Sequence, residues 1–168
     1  GPWGFPAPYG HQPIDFARVS FNLDIVGGGA LALCEAFREL SRHDDSGHRV
    51  NLLFDHETPA IKVESRYTHP TLNVVPKRPG SLAVRMPPWV DLGSLRVNGA
   101  ADPPDFVNGY VQFSHVLADR PITFSYPLPA HEMALDHRGK RIRARLRGDE
   151  VGAMENFGAD LTFFDPLV

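Results

Sequence analysis

Cysteine and long apolar runs are scarce in this 168-residue chain, and basic residues do not outnumber acidic ones. The single cysteine, Cys34, excludes an internal disulfide and a metal site built from several cysteines. A formal net charge of −3 provides no basic surface for a polyanion, so we expect no nucleic-acid partner. The apolar runs are far shorter than the roughly 20 residues of a membrane span, so we expect no membrane partner either.

Proline and glycine, in contrast, are frequent and spread along the whole chain. The 16 prolines and 15 glycines indicate many short elements joined by turns. Hydrophobic residues make up 42% and charged residues 22%, which is ordinary for a globular protein of a size that can bury a substantial core. We therefore expect a mainly β protein. The opening Gly1-Pro2 resembles a protease-cleavage scar and indicates a piece of a longer chain, while the compartment stays open.

The first 47 residues are predicted to form an irregular segment followed by one amphipathic α-helix. Residues 3–23 are rich in proline, glycine and aromatics and show no clean period. The helical pattern starts at Ala30, and the turn-forming residues 43–48 end it. Its apolar face carries Ala30, Leu33, Phe37 and Leu40. Cys34 lies beside this face, so we expect it to be a buried core thiol rather than a nucleophile.

From residue 48 to residue 168 the apolar period changes to two, which predicts an antiparallel β-sandwich. About ten short segments alternate apolar and polar residues, separated by Pro, Gly and Asp. Asn98-Gly99 is expected to form a hairpin turn, whereas Asn108-Gly109 is expected to lead a loop into the next strand. Residues 141–147 place four arginines on one face of a strand, which predicts a solvated face paired with acidic side chains.

The candidates for chemistry are few. The glycine run Gly27–Gly29 lacks the alternating strands and helices of a dinucleotide site, so we expect a tight entry into the helix. The eight histidines show no i, i+4 pair, and we expect neither a metal nor another cofactor. Asp55, His56 and Glu57 gather at a strand end, where either a binding site or a plain polar turn is possible. Trp89, after two prolines, either caps the core or stacks on a sugar.

From Arg49 onward the chain resembles the C-terminal β-sandwich of bacterial β-L-arabinofuranosidase-like glycoside hydrolases. The resemblance rests on the order and spacing of four motifs and on the closing stretch "RLRGDEVGAMEN…LTFFDPL". The motifs are Val50-Asn51-Leu52, Arg85-Met86-Pro87-Pro88-Trp89, Val97-Asn98-Gly99 and Gly109-Tyr110. The similarity covers about residues 24–168.

The resemblance implies that the chemistry of the family lies in a catalytic α/α barrel that precedes the sandwich. Well-studied members use a zinc-bound cysteine nucleophile, part of an adjacent Cys-Cys pair before the last barrel helix. Ile25-Val26 stand where that pair would be, and neither can supply a thiolate or a metal ligand. Residues 1–47 would then be the end of the barrel, and we expect no catalytic residue in this chain.

Three functions are compatible with this pattern. The first is a non-catalytic sandwich domain that braces a barrel, with the helix face 30–40 covered by that barrel or by a second copy. The second is a carbohydrate-binding module using Trp89, His56, Glu57 and Tyr110, with Trp3 and Tyr67 as further aromatic candidates. The third is an active glycoside hydrolase whose catalytic residues lie in the missing barrel or in a carboxylate pair from Asp24, Asp55 and Glu57.

Overall fold

A computed structural model describes residues 17–137, 139–157 and 164–167, which form one helix and 14 short strands. In chain order the elements are α1 (Ala17–Arg38), β1 (Ser41–Asp44), β2 (Gly47–Val50), β3 (His56–Glu57), β4 (Ile61–Glu64), β5 (Leu72–Pro76), β6 (Gly80–Arg85), β7 (Arg96–Asn98), β8 (Asp105–Val107), β9 (Tyr110–Val116), β10 (Ile122–Ser125), β11 (Ala130–His137), β12 (Lys140–Arg147), β13 (Glu150–Met154) and β14 (Asp165–Pro166). The predicted mainly β fold is confirmed.

Two five-stranded sheets form a sandwich, with strand orders β1-β2-β6-β9-β8 and β3-β4-β5-β10-β7. Burial alternates along the strands, as it does along β5, where every second side chain faces inward. Phe113 on β9 meets Phe124 on β10 edge-on, with the ring centroids 6.2 Å apart, so the two sheets are in contact through their inner faces. Phe124, Leu72 and Leu82 are fully buried there, and each such side chain stabilises the fold by about 1.5–3 kcal/mol.

A third sheet, β11-β12-β13-β14, follows the sandwich in the chain. Strands β11 and β12 form a regular hairpin whose register runs from Ala130↔Arg147 to His137↔Lys140. On β12 the arginines are exposed and their neighbours Ala144 and Leu146 are buried, as predicted. The arginines pair with carboxylates: Arg143 with Glu155, Arg145 with Glu132 and Arg147 with Glu150, at 3.0, 3.5 and 2.7 Å.

The strand pairing differs from the sequence prediction in two places. The β2 strand pairs with β6 in parallel, so the first sheet is mixed rather than purely antiparallel. The sheet also starts earlier than the predicted boundary at residue 48, because β1 pairs with β2 in a hairpin that begins at Ser41.

The two Asn-Gly pairs have exchanged roles. Asn108-Gly109 joins β8 to β9, which pair antiparallel, and both residues have positive φ (51° and 79°), as a two-residue hairpin turn requires. Asn98-Gly99 ends β7, which pairs with β10 rather than with the next strand, so it forms no hairpin. Gly99 has φ 89°, and a Cβ on this residue would collide with the Pro121 carbonyl oxygen, so only glycine fits here.

Helix α1 corrects the prediction for the first third of the chain. It begins at Ala17 instead of Ala30, so residues 17–23 are helical and the glycine run lies inside the helix rather than before it. Residues 1–16, which include Trp3, lie outside the described residues. Each glycine in a helix interior costs about 1 kcal/mol relative to alanine, so three in succession make α1 intrinsically weak.

The end of α1 is attached to the sandwich. The carbonyl of Leu40 accepts hydrogen bonds from the backbone N–H groups of Asn51 and Leu52, at 2.9 and 3.3 Å. The side-chain amide of Asn51 donates to the carbonyl of Glu39 at 3.0 Å, and Leu40 is itself buried. The helix therefore leaves the sandwich at a defined point, while its residues 30–38 are exposed.

Candidate functional site: a cleft beside strand β6

A cleft of about 810 Å³ opens on the sandwich next to the end of β6. Its walls come from four parts of the chain: the segment 51–55 after β2, the turn 65–68 after β4, residues 85–88 at the end of β6, and the β12–β13 turn at 149–150. Both sheets of the sandwich and the third sheet contribute. This volume lies within the range of roughly 300–1,000 Å³ that is typical of ligand sites.

Asp55 is the best-defined polar group of the cleft. One carboxylate oxygen, Oδ1, accepts the backbone N–H of Ser65 at 2.5 Å, and the other, Oδ2, accepts the hydroxyl of Thr68 at 2.6 Å. The Nε2 of His69 lies 3.8 Å from Oδ1. The Ser65 and Thr68 donors lower the pKa of Asp55, so it is a carboxylate at neutral pH. Each carboxylate oxygen has a further lone pair that can accept another hydrogen bond.

Tyr67, in the lining of the cleft, joins the third sheet to the sandwich. Its hydroxyl donates to Oδ1 of Asp149 and accepts the backbone N–H of the same residue at 3.0 Å. Burial, with a smaller contribution from the hydrogen bond to Asp149, raises the pKa of Tyr67 to about 12. The guanidinium of Arg147 lies over the ring, 5.9 Å from its centroid. Tyr67 is thus a neutral phenol that positions the β12–β13 turn.

Phe54 and Arg85 supply the exposed part of the lining. Phe54 keeps 61% of its surface exposed, whereas Leu52 and Leu53 before it are partly buried. Arg85 is exposed, and within the described residues its guanidinium has no hydrogen bond or ion pair. An aromatic face and a free guanidinium therefore border the same opening.

Two of the predicted sugar-binding residues lie outside this lining and have partners of their own. His56 Nδ1 donates to the carbonyl of Phe54, and its Nε2 bonds to the Ser41 hydroxyl, both at 2.8 Å. Glu57 pairs with Lys77 at 2.5 Å, and the same contact lowers its pKa. Of the three residues grouped in the sequence, Asp55 alone lines the cleft.

The other two predicted residues are also engaged in the fold. The Tyr110 hydroxyl donates to Oδ1 of Asn51 at 2.9 Å. Asn51 lines the cleft, whereas Tyr110 itself does not. Trp89 is half-buried against the core, with its ring 6.0 Å from that of Tyr126. Its Nε1 is buried and has no partner in the described part of the chain. Trp89, His56, Glu57 and Tyr110 are thus all absent from the lining of this cleft, and each has contacts elsewhere in the fold.

Sequence reasoning overlooked Phe54, Arg85 and Asp149. Phe54 reads as one more apolar residue of the run 52–54, and nothing in its spacing marks it as exposed. Asp149 lies more than 80 residues from Tyr67, so only the folded chain brings them together. The signal that was available is Asp55, which the sequence placed at a strand end.

Helix α1 contains two further residues or pairs for which the sequence made a prediction, Cys34 and Ile25-Val26. Cys34 is exposed in this chain, contrary to the prediction of a buried core thiol. Ile25-Val26 lie in the helical backbone, but their side chains are outside the described residues.

In the described ranges, no group of three or more His, Cys, Asp or Glu side chains is placed to hold a metal ion. Nor do those ranges contain a helix of the length and apolar character needed to cross a membrane.

No protein-family model and no curated protein matches the chain. Among solved structures, a GH127 β-L-arabinofuranosidase from Geobacillus stearothermophilus T6 is similar, with a TM-score of 0.51 and 19% identity. A protein described as a glycoside hydrolase is similar too, with a TM-score of 0.52 and 18% identity. This chain shares its fold with part of these glycoside hydrolases.

The matches cover most of this chain but little of the other proteins. They include 79% and 89% of this chain, and 24% and 29% of the arabinofuranosidase and of the glycoside hydrolase, respectively. The chain thus spans about a quarter of the length of these structures. The glycoside-hydrolase resemblance inferred from the motif order is confirmed as a likeness of fold. Because the chain covers only part of these proteins, it corresponds to a partial glycoside-hydrolase-like domain.

Proposed function

We propose that this chain is a non-catalytic β-sandwich domain of a larger glycoside-hydrolase-like protein, and that helix α1 packs into a catalytic α/α barrel which the sandwich braces. The observation that carries the proposal is the exposure of apolar side chains around α1. Leu31, Leu33 and Phe37 are 61%, 52% and 69% exposed. Side chains of this kind are rarely left together in water, because burying each one contributes about 1.5–3 kcal/mol.

The placement of these side chains favours several neighbouring helices over a single one. Leu31 and Leu33 are two residues apart, so they point to nearly opposite sides of the helix. Residues 25–34 include no charged side chain. A helical segment that is apolar all round, as residues 25–34 are, is typical of a buried position. A second copy packed on one side would cover Leu31 or Leu33 but not both, whereas a helix of a barrel has neighbours on both sides.

The glycine run supports the same arrangement. Nothing in the described part of the chain lies within 4 Å of a Cβ placed on Gly27 or Gly28, so no contact there explains why the helix carries glycines. Glycine in a helix allows another backbone to approach closely. The catalytic groups of the protein would lie in the barrel, in keeping with the small share of the similar structures that this chain covers.

Cys34 offers a direct test because it is exposed and lies near the C-terminal end of α1. The rate at which a thiol reagent modifies Cys34 should be high in the isolated chain at low concentration. In the full-length protein we expect the rate to fall by about tenfold or more, because the barrel covers the helix. An equally fast reaction in the full-length protein would overturn the proposal.

The isolated chain provides the second arm. If Cys34 becomes protected as the chain concentration rises, the helix packs on a second copy instead of a barrel. In that case Leu33→Glu should remove the protection, whereas Leu117→Glu on the sandwich surface should not. The non-catalytic part is tested with a chromogenic β-L-arabinofuranoside. We expect no hydrolysis by the isolated chain, and any turnover above that of heat-denatured chain would contradict the assignment.

A further inference from the structure

We propose that the cleft beside β6 is a binding site for a neutral carbohydrate, built around Phe54, Asp55 and Arg85. Every residue of its lining belongs to this chain. The site therefore goes beyond the bracing function and does not rest on it. It also differs from the four residues that the sequence predicted, since none of them lines the cleft.

The apolar part of the lining suits one face of a sugar ring. Carbohydrates carry C–H groups on their ring faces and hydroxyls at their edges, and aromatic side chains pack well against such faces. Phe54 is largely exposed at the cleft, and Pro87 and Pro88 lie on the wall formed by the end of β6. A ligand stacked on the exposed ring of Phe54 would remove apolar surface from water, which favours binding.

The polar part suits hydroxyl groups, which both donate and accept. The Asp55 carboxylate is held by Ser65 and Thr68 in one orientation and can accept further hydrogen bonds. The Arg85 guanidinium is unpaired in the described part of the chain and can donate. A hydroxyl-rich ligand can donate to Asp55 and accept from Arg85 at the same time. A cation would instead be repelled by Arg85, and an anion would be repelled by Asp55.

The charge of the cleft selects against acidic sugars and phosphates. Three carboxylates, those of Asp55, Asp149 and Glu150, line it together with one guanidinium, that of Arg85. Glu150 is paired with Arg147, whereas Asp149 keeps its charge because its partner Tyr67 is a neutral donor. No basic residue other than Arg85 is in the lining. The local field is therefore negative, and neutral glycans are preferred to uronic acids.

Titration calorimetry on the 168-residue chain tests the site with arabinobiose, galactobiose, xylobiose and digalacturonate as probes. We expect at least one neutral disaccharide to bind and digalacturonate to bind about tenfold more weakly or not at all. Phe54→Ala and Arg85→Ala should each weaken the neutral sugar by about tenfold. Phe106→Ala is the matched control, because Phe106 is also half-exposed but lies outside the cleft.

Three results would overturn the proposal: no heat with any neutral probe, binding that Phe54→Ala and Arg85→Ala leave unchanged, or stronger binding of digalacturonate. Circular dichroism of each variant checks that the fold is intact, and Arg85→Lys separates loss of charge from loss of the guanidinium geometry. Cys34 lies on α1 and not in the cleft lining, so its modification rate does not depend on these results. Failure of the sugar site and failure of the bracing function are thus distinguishable.

Discussion

His43 and His48 stack across the β1–β2 hairpin, with ring centroids 4.3 Å apart and planes inclined by 23°. The two residues are register partners, so the pleat of the hairpin places their side chains on the same face. His48 is 2% exposed, and its Nε2 donates to the Arg78 carbonyl at 2.8 Å. Its Nδ1 is buried with no partner among the described residues.

This arrangement predicts that stability falls in mild acid. Burial lowers the pKa of His48 below its ordinary value of about 6.5, and the nearby charges of His43 and Arg78 act in the same direction. The unfolded chain then binds a proton more readily than the folded chain. The His48 contribution is fully present above about pH 6.5 and is lost as the pH falls from there toward the lower, folded pKa.

Urea unfolding between about pH 8 and pH 5 measures this effect. His48→Gln keeps a donor for the Arg78 carbonyl but does not titrate, so it should flatten the pH dependence. His115→Gln changes an exposed histidine and should leave the curve unchanged. A wild-type curve that His48→Gln does not alter would contradict the prediction.

Two glycines with open space around them are predicted to respond to alanine in opposite ways. Gly28 lies in α1 without positive φ, so Gly28→Ala should stabilise the helix by about 1 kcal/mol in the isolated chain. Gly109 has φ 79°, so Gly109→Ala should destabilise the β8–β9 hairpin by about 1–2 kcal/mol. Far-ultraviolet circular dichroism and urea unfolding report the two effects. Equal effects of the same sign would show that backbone conformation is not the deciding factor.

Gly148 and Gly139 are predicted to tolerate alanine to different extents, because only Gly148 has neighbouring atoms where a Cβ would lie. Gly148 and Gly139 both have positive φ, 64° and 77°, so alanine strains the backbone at either position. A Cβ on Gly148 would also lie 2.8 Å from the Trp89 ring and against the Tyr67 hydroxyl, whereas a Cβ on Gly139 meets nothing within 4 Å. Gly148→Ala should therefore cost about 1–3 kcal/mol more than Gly139→Ala, as measured by the urea midpoint. Similar midpoints would mean that the third sheet does not rest on Trp89.

The contact between the two sheets of the sandwich predicts a large effect at Phe124. This side chain is fully buried and meets Phe113 edge-on, so Phe124→Ala should lower the free energy of unfolding by about 3–5 kcal/mol. Phe106→Ala, at a half-exposed position on β8, should change it by less than about 1 kcal/mol. The comparison uses chemical denaturation of both variants. A small loss at Phe124 would place the core elsewhere.

Several features follow from local pattern and could be predicted. The alternation of β4, β5 and β12 predicts which side chains face inward, because successive residues of a strand point to opposite faces. The arginine face of β12 and its acidic partners follow from the same rule. The order of the short motifs in the chain also indicated the fold that the solved structures share.

Other features were beyond local reasoning. The sequence pattern predicts the start of α1 too late, because glycines and prolines lower helix propensity although a helix can continue through glycines. Cys34 was expected in the core because it lies among apolar residues, but whether an apolar helix face is covered depends on its neighbours. The cleft depends on Asp55, Arg85 and Asp149, which lie far apart in sequence.

The sequence by itself determined the class of fold, because the period of apolar residues sets whether a segment forms a half-buried strand. It also determined that residues 25–34 of α1 carry no charged side chain. Only the tertiary structure decided which strands pair, with β2 parallel to β6 and Asn108-Gly109 rather than Asn98-Gly99 in the hairpin. It alone brought Phe54, Asp55 and Arg85 to one opening. Strand pairing and clefts depend on contacts between distant segments, and these are set by the packing of the whole core rather than by any local pattern.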